Sequence, residues 1–272
     1  MEIILLIFSS ILSVFIPGGL ISEQIFASRI RDQTEGIEHL ALRIDNVPSY
    51  QLVDGKIDRF RIASRGVKLT KNFRVEQLEI ETDPLDIDLQ RLRQSDRNRF
   101  QASLRQPLNA GIKLALHEED LNQTLDSPPV KARIQTILNT AAANFPSTPS
   151  QGYEILDLQL DLQENNRIIF QAQLQPAGGE SPEEQRLNIL AETELAVAAG
   201  QKLTFANSSI SVNKAVIPPT FTSGILSRVS SRLNLTNLEE AGILARVLQL
   251  EVEEEQVKVA TFVRVESSMG EE

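Results

Sequence analysis

Seven Lys and Arg side chains lie between Lys56 and Arg74, and Asp58 is the one carboxylate among them. We call residues 56–74 the basic strip. The chain as a whole has the opposite balance, with a formal net charge of -10. Such a local excess of positive charge in an acidic protein indicates that these side chains bind anionic groups, either carboxylates of the same fold or an external ligand.

Within the basic strip, the apolar side chains of Phe60 and Ile62 alternate with arginines, as in a half-buried strand. Three guanidinium groups are predicted to point away from the apolar side, those of Arg59, Arg61 and Arg65. Cross-strand pairs with carboxylates such as Glu79 and Glu81 would explain them, because such pairs of opposite charge are ordinary in sheets.

Other candidates for chemistry are few. Asp83, Asp86 and Asp88 lie in a "TDPLDID" stretch that could hold calcium, although carboxylates on the wet face of a strand are common. The chain has no Cys and two His, His39 and His117, which excludes thiolate chemistry and nearly excludes a His-rich metal site. No nucleotide-binding loop or hydrolase motif is present. We therefore expect no enzyme and no cofactor, with an unrecognised acidic-site hydrolase as the less favoured alternative.

The composition narrows the class of partner. The sequence pI is about 4.9, which argues against nucleic acid as the main partner. The whole acidic excess lies in residues 106–272, since residues 1–105 balance. Aromatic residues make up 5% and Trp is absent, so stacking platforms for sugars or single strands are not expected.

The first twenty residues, "MEIILLIFSSILSVFIPGGL", are predominantly apolar. The unbroken run from Ile3 to Ile16 is short for a bilayer span, and the "PGG" that follows should break a helix. Three interpretations remain open for residues 1–20: an uncleaved hydrophobic anchor, an atypical export signal, or a buried N-terminal element. A membrane connection is the favoured one.

The rest, residues 21–272, is predicted to form a single domain in which strands dominate. Period-2 alternation recurs along the chain, including "LDIDL" at 85–89 and a stretch at 100–104, and it predicts antiparallel meanders. Helical spacing predicts helices near 21–33, 118–142 and 219–233, with a break at Pro128 and Pro129. This order of elements is α+β rather than alternating βαβ.

The amphipathic helices carry aliphatic stripes, Ile25, Phe26 and Ile30 in one and Leu226, Val229 and Leu233 in another. Such stripes pack in an ordinary core or line an apolar cavity, and periodicity cannot separate the two because both need the same residue types.

Three stretches resemble the LmeA-like phospholipid-binding family, in its cyanobacterial type: "RIDNVPSYQLVDGKIDRFRIASRGVKL", "LEIETDPLDIDLQRLR" and "LHEEDLNQTLDSPPVKARI". The likeness extends from about residue 37 to 265. It implies a tubular lipid-binding fold of the bactericidal/permeability-increasing type, in which a strongly twisted antiparallel sheet wraps around amphipathic helices and encloses acyl chains.

The resemblance also implies roles for the residues above. The two aliphatic stripes would form the wall of an apolar tunnel, and Arg59, Arg61 and Arg65 would bind the headgroup phosphate. The expected partners are a phospholipid or other acyl lipid and a membrane surface, with a location on the envelope or periplasmic side. The expected function is that of a lipid carrier or sensor; an envelope scaffold without ligand is the alternative.

Overall fold

The computed structural model describes residues 30–31, 34–94, 100–142, 152–177 and 186–268. Of the helix predicted at 21–33 the described part is Ile30 and Arg31, both helical. The predictions for residues 1–20, Ile25 and Phe26 lie outside the described residues.

The first sheet has six strands in the order β1-β3-β4-β6-β13-β12, and every pairing is antiparallel. Its strands are β1 (Gly36–Asp45), β3 (Arg59–Thr70), β4 (Phe73–Thr82), β6 (Leu108–His117), β12 (Ile243–Glu253) and β13 (Gln256–Val265). The short strands β2 (Lys56–Ile57) and β5 (Leu85–Asp86) pair separately.

The second sheet has five strands in the order β11-β10-β9-β8-β7, again antiparallel. They are β7 (Tyr153–Gln163), β8 (Arg167–Pro176), β9 (Leu187–Ala198), β10 (Lys202–Val212) and β11 (Ala215–Val216). Open, twisted antiparallel sheets with helices confirm the predicted α+β class.

The helices are α1 (Leu89–Gln94), α2 (Phe100–Ser103), α3 (Glu118–Asp126), α4 (Pro128–Ala142) and α5 (Pro219–Arg232). Short 3-10 segments cover Ser49–Asp54 and Leu235–Ala241. The predicted break before Pro128 and the predicted helix near 219–233 are confirmed.

The strands predicted at 85–89 and 100–104 are largely wrong. Strand β5 ends at Asp86, and the backbone turns into α1 because the Asp88 carboxylate accepts hydrogen bonds from the amides of Gln90 and Arg91. A short polar side chain in this position caps a helix and overrides the period-2 pattern before it.

The two sheets meet along the free edge of β12. Asn166 lies in the β7–β8 turn. Its side-chain oxygen accepts a hydrogen bond from the backbone amide of Val252 at 2.7 Å, and its backbone amide donates to the Val252 carbonyl. Farther along the strand, the Val247 amide donates to the carbonyl of Gly200 in the β9–β10 turn. Two turns of the second sheet therefore dock end-on against the first.

Helices α3 and α4 protect the free edge of β7. Asn122 of α3 donates to the Leu160 carbonyl and accepts from the Leu160 amide, both at 2.8 Å. Gln135 of α4 does the same for the Tyr153 carbonyl and the Ile155 amide. Amide side chains thus replace a sixth strand and leave few open backbone groups for aggregation.

The apolar side of the first sheet is closed along its central strands, while Leu40, Leu42 and Ile44 of the edge strand β1 are half-buried. Phe60, Ile80 and Val263 are at most 1% exposed, and they belong to a continuous cluster that includes Ile87 and Leu104. A second cluster around Leu162, Val252 and Val257 lies where the two sheets join.

Candidate functional site

Within the basic strip, the side chains of Arg59, Arg61 and Arg65 lie on the outer, polar side of the first sheet, opposite the closed core. Arg59 is 3.4 Å from the Glu81 carboxylate, and Arg61 pairs with Asp45 of the neighbouring strand. Arg43 and Arg61 both donate hydrogen bonds to Asp45, which holds the pKa of that carboxyl below its usual value. Cross-strand pairing therefore accounts for the internal contacts of Arg59 and Arg61.

These pairs leave part of the strip accessible. The Arg59 side chain is 54% exposed, and the Arg61 side chain is 37% exposed. Arg65 is exposed, stands between His39 and Gln77 in the sheet register, and forms no ion pair within the described part of the chain. Exposed pairs contribute only about 0–1 kcal/mol, so a phosphate can compete for these donors.

An open groove of about 880 Å³ runs across the same polar side. Its floor consists of the small residues Ala41, Ala63, Gly111 and Ala260. Charged groups of both signs line it, including Arg43, Arg59, Arg61, Lys113, Asp58, Glu79, Glu81 and Asp83. The sheet register places Arg61 beside Glu81, and Glu79 beside Lys113. Apolar side chains line it as well, among them Leu42, Ile112 and Leu248, so the groove offers hydrocarbon surface beside charged groups of both signs.

The second sheet has a side that is aliphatic across four strands. One row contains Leu160, Phe170, Ala191 and Ile210, and the next contains Leu158, Ala172, Ile189 and Val212. We call these two rows the aliphatic face. Five of the eight side chains are only half-buried: Leu160, Phe170, Ile189, Ala191 and Val212. This differs from the first sheet, where the matching side is closed along its central strands.

Helix α5 lies along β10, at the opposite edge of the second sheet from α3 and α4. Thr222 and Ser230 are its buried side chains, and the Ser230 hydroxyl donates to the Leu203 carbonyl. A cavity of about 380 Å³ between α5 and β10 is lined by Leu226, Phe205 and several hydroxyl side chains.

The residues of the predicted tunnel wall are thus separated. Leu226 is half-buried at the α5–β10 cavity, whereas Val229 and Leu233 are 39% and 47% exposed on the helix. Ile30 packs against the core of the first sheet. The structure does not bring Ile30 together with the α5 residues in one cluster.

The predicted headgroup arginines and the aliphatic face also lie apart. Arg59 and Arg61 alternate along β3 with Phe60 and Ile62, so they point away from the side on which the apolar clusters lie. One lipid molecule held by both would have to pass around a sheet edge. The two candidate sites are therefore considered separately below.

The motif "EEDLN" at 118–122 joins the two sheets. The Glu118 carboxylate accepts from the Leu162 amide at 2.7 Å, and Asn122 bonds both backbone groups of Leu160. Asp120 accepts from Arg74 of β4 at 2.8 Å, while Leu121 packs into the cluster between the sheets. The contacts of this motif among the described residues are therefore structural, since they link the two sheets.

The remaining predicted candidates are also engaged structurally. Asp86 pairs with Arg105 at 2.9 Å, Asp88 caps α1, and Asp83 accepts from Asn109. His117 Nε2 lies 3.8 Å from a Glu255 oxygen. Among the described residues, no group of three or more His, Asp and Glu side chains is arranged to hold a metal ion.

Sequence reasoning missed the aliphatic face as a candidate site. Its signal was present in "YEILDLQLDLQ" and "RIIFQAQLQ", where apolar and polar residues alternate as in a half-exposed sheet. Periodicity does not reveal whether anything covers the apolar side, so the helix stripes were favoured instead.

Within the described residues, no helix combines the length and the hydropathy that a bilayer crossing needs. No curated protein matches the chain significantly. A family model described as LmeA-like phospholipid-binding matches residues 17–262, which is most of the chain. The chain therefore belongs to the LmeA-like phospholipid-binding family.

Proposed function

We propose that this protein is a non-enzymatic phospholipid carrier or sensor that holds acyl chains against the aliphatic face of the second sheet. The observation that carries the proposal is the contrast between the two sheets. Phe60 and Ile80 in the first are at most 1% exposed, whereas Phe170, Ile189 and Ala191 in the centre of the second are half-buried.

A half-open aliphatic face has a free-energy cost. Burial of apolar surface stabilises a protein by about 25 cal/mol per Å², and this stabilisation is missing where the surface stays in water. Contiguous apolar patches of several hundred Å² on soluble proteins usually mark a binding site. Hydrocarbon chains match this face because they bring no polar group that would need a partner. Membership of a phospholipid-binding family agrees with this chemistry.

The sealed edges support the same function. Asn122 and Gln135 satisfy β7, and Ser230 bonds the Leu203 carbonyl of β10. A sheet whose edges are occupied can leave its face accessible to a lipid with less risk of pairing with another chain.

A headgroup role for Arg59, Arg61 and Arg65 is a separate part of the proposal. Their accessible donors are on the polar side of the first sheet, so they are suited to phosphates of a membrane surface rather than to the lipid whose chains occupy the second sheet. We propose a location at a membrane surface for the same reason, and on the envelope or periplasmic side because the family resemblance implies it.

Native mass spectrometry of the purified full chain, followed by lipid extraction, tests the function. We expect a bound mass in the phospholipid range, and we expect delipidated protein to take up lipid from phosphatidylglycerol vesicles. Protein that carries no lipid and takes up none would support the envelope scaffold instead.

A further inference from the structure

The edge of the second sheet formed by β10, β11 and α5 has an unusual charge. Residues 195–238 contain no Asp or Glu, although the chain has 37 of them, and they contain Lys202, Lys214, Arg228 and Arg232. We call this part the cationic edge. Lys202, Lys214 and Arg228 are exposed and form no ion pair among the described residues.

Helix α5 in this edge turns Leu226 and two hydroxyl side chains toward β10 and leaves a row of three aliphatic side chains outside. Thr222 and Ser230 are 4% and 5% exposed against β10, while Ile225, Val229 and Leu233 are 40%, 39% and 47% exposed. A helix that only covers a sheet edge would place the aliphatic side chains toward the sheet. We call Ile225, Val229 and Leu233 the outer row. Their exposure indicates that they contact a partner other than the sheet.

The outer row has the dimensions of an interfacial helix. Ile225, Val229 and Leu233 follow one another at i+4 spacing and extend for about 12 Å. Arg228 is three residues from Ile225 and so is its neighbour on the helix surface. Val216, on the outermost strand of the sheet, is 71% exposed and adds to the apolar surface.

The charge of this surface selects among partners. A second copy of the chain docked through the same helix would be related by two-fold symmetry, and its arginines would then meet their own counterparts. An anionic bilayer instead offers hydrocarbon to the aliphatic row and phosphates to the basic side chains around it.

We propose that the cationic edge docks on the surface of an anionic phospholipid bilayer. Ile225, Val229 and Leu233 enter the boundary between headgroups and acyl chains, and Lys202, Lys214 and Arg228 contact the phosphates. The inference rests on the proposed function, because docking here places the membrane beside β10, a strand of the lipid-binding sheet.

The full chain has no Cys, so a single introduced thiol can carry a polarity-sensitive fluorophore. Ile225→Cys places it on the outer row. Leu156→Cys is the matched control, because Leu156 is similarly exposed at 38% but lies on β7, at the other edge of the sheet. Because each probe reports only its own position, membrane attachment by another part of the chain does not obscure the result.

With vesicles of equal parts phosphatidylcholine and phosphatidylglycerol, we expect a blue shift at position 225 and none at 156. Adding Arg228→Glu should raise the vesicle concentration for half of the shift by about tenfold, since each basic group near the surface contributes about 1 kcal/mol. Vesicles of phosphatidylcholine alone should give a weaker response.

Three results would overturn the docking inference. Protein that sediments with the vesicles while its 225 probe stays in water docks elsewhere, and lipid binding then stands without this surface. The 225 probe could also be shielded from water before vesicles are added. If that shielding depends on protein concentration, a second copy of the chain covers the helix; if it does not, another part of the same chain covers it. Protein that neither binds vesicles nor yields extracted lipid contradicts both this inference and the proposed function.

Discussion

Arg74 of the first sheet and Asp120 of α3 form an ion pair in which Nη1 donates to a carboxylate oxygen across 2.8 Å. Asp120 is 8% exposed, so this contact is nearly closed to water. Arg74 also binds Glu38 and Glu76. Partial burial alone would lower the pKa of Arg74, but the hydrogen bonds that it donates to Asp120, Glu76 and Glu38 outweigh burial and raise that pKa above its usual value.

Replacing Arg74 should therefore destabilise the junction between the sheets. Arg74→Met leaves the Asp120 carboxylate without its cation, and we expect the free energy of unfolding to fall by about 2–3 kcal/mol. Lys71→Met is the control, since Lys71 is exposed and should change stability by less than about 0.5 kcal/mol. Equal urea midpoints for the two variants would contradict the assignment.

Asn122 provides an independent test of the sealed edge. Asn122→Leu keeps the branched side-chain shape but leaves the Leu160 amide and carbonyl without side-chain partners, at a cost of about 2–3 kcal/mol. Hydrogen exchange at the Leu160 amide should accelerate more than the global loss of stability explains. Gln123→Leu, on the exposed side of the same helix, should change neither quantity.

Asp88 predicts a specific dependence on pH. Hydrogen bonds from the Arg91 and Gln90 amides, with the former the larger effect, lower the pKa of Asp88 below its usual 3.8. A lowered pKa means that the carboxylate stabilises the fold above pH 3.8 and that this contribution is lost as the pH falls through the folded-state pKa.

Asp88→Asn keeps a capping oxygen but removes the titration. As the pH is lowered from about 5 to about 3, the melting temperature should therefore fall less steeply in the variant than in the parent. Parallel curves for the two proteins would show that Asp88 does not contribute to acid stability.

The basic strip can be tested with charge reversal. Arg59→Glu, Arg61→Glu and Arg65→Glu together should weaken binding to phosphatidylglycerol vesicles by tenfold or more at low salt, since surface charges act most strongly there. Because Arg59 and Arg61 have carboxylate neighbours, a Gln triple variant separates lost attraction from new repulsion within the sheet. Unchanged vesicle binding in both triple variants would assign the strip to cross-strand pairing alone.

Much of the fold follows from the sequence because it depends on local patterns. Period-2 alternation predicts antiparallel meanders, and the structure contains one in the β12–β13 hairpin, where "QVKVATFVRV" alternates. The strand predicted at 85–89 failed because Asp88 caps a helix there. Two backbone hydrogen bonds to one side chain decide the structure of that segment, and the hydrophobic period of the sequence does not reveal them.

The candidate site follows from the sequence much less well. The "EEDLN" stretch, which lies in one of the segments that resemble the family, contains scaffold residues such as Asp120 and Asn122, each of which has a defined partner. The exposure of Val229 and the half-open position of Ala191 depend on how separate elements pack. The same aliphatic residue types occur in a core, on an open sheet face and on an outer helix row. Residue type therefore does not predict exposure at these positions, which depends on tertiary packing.

Bound lipid measured in two tryptophan variants of β9 tests the central claim most directly. Ala191 lies on the aliphatic face between Phe170 and Ile210, whereas Ala196 is exposed on the other side of the same strand, opposite Thr204. In Ala191→Trp the indole occupies the space that acyl chains need, so extracted phospholipid per protein should fall several-fold while the melting temperature holds. Ala196→Trp should retain the parent's lipid. Equal lipid content in the two variants, or loss of stability in Ala191→Trp from a parent without lipid, would contradict acyl-chain binding at this face.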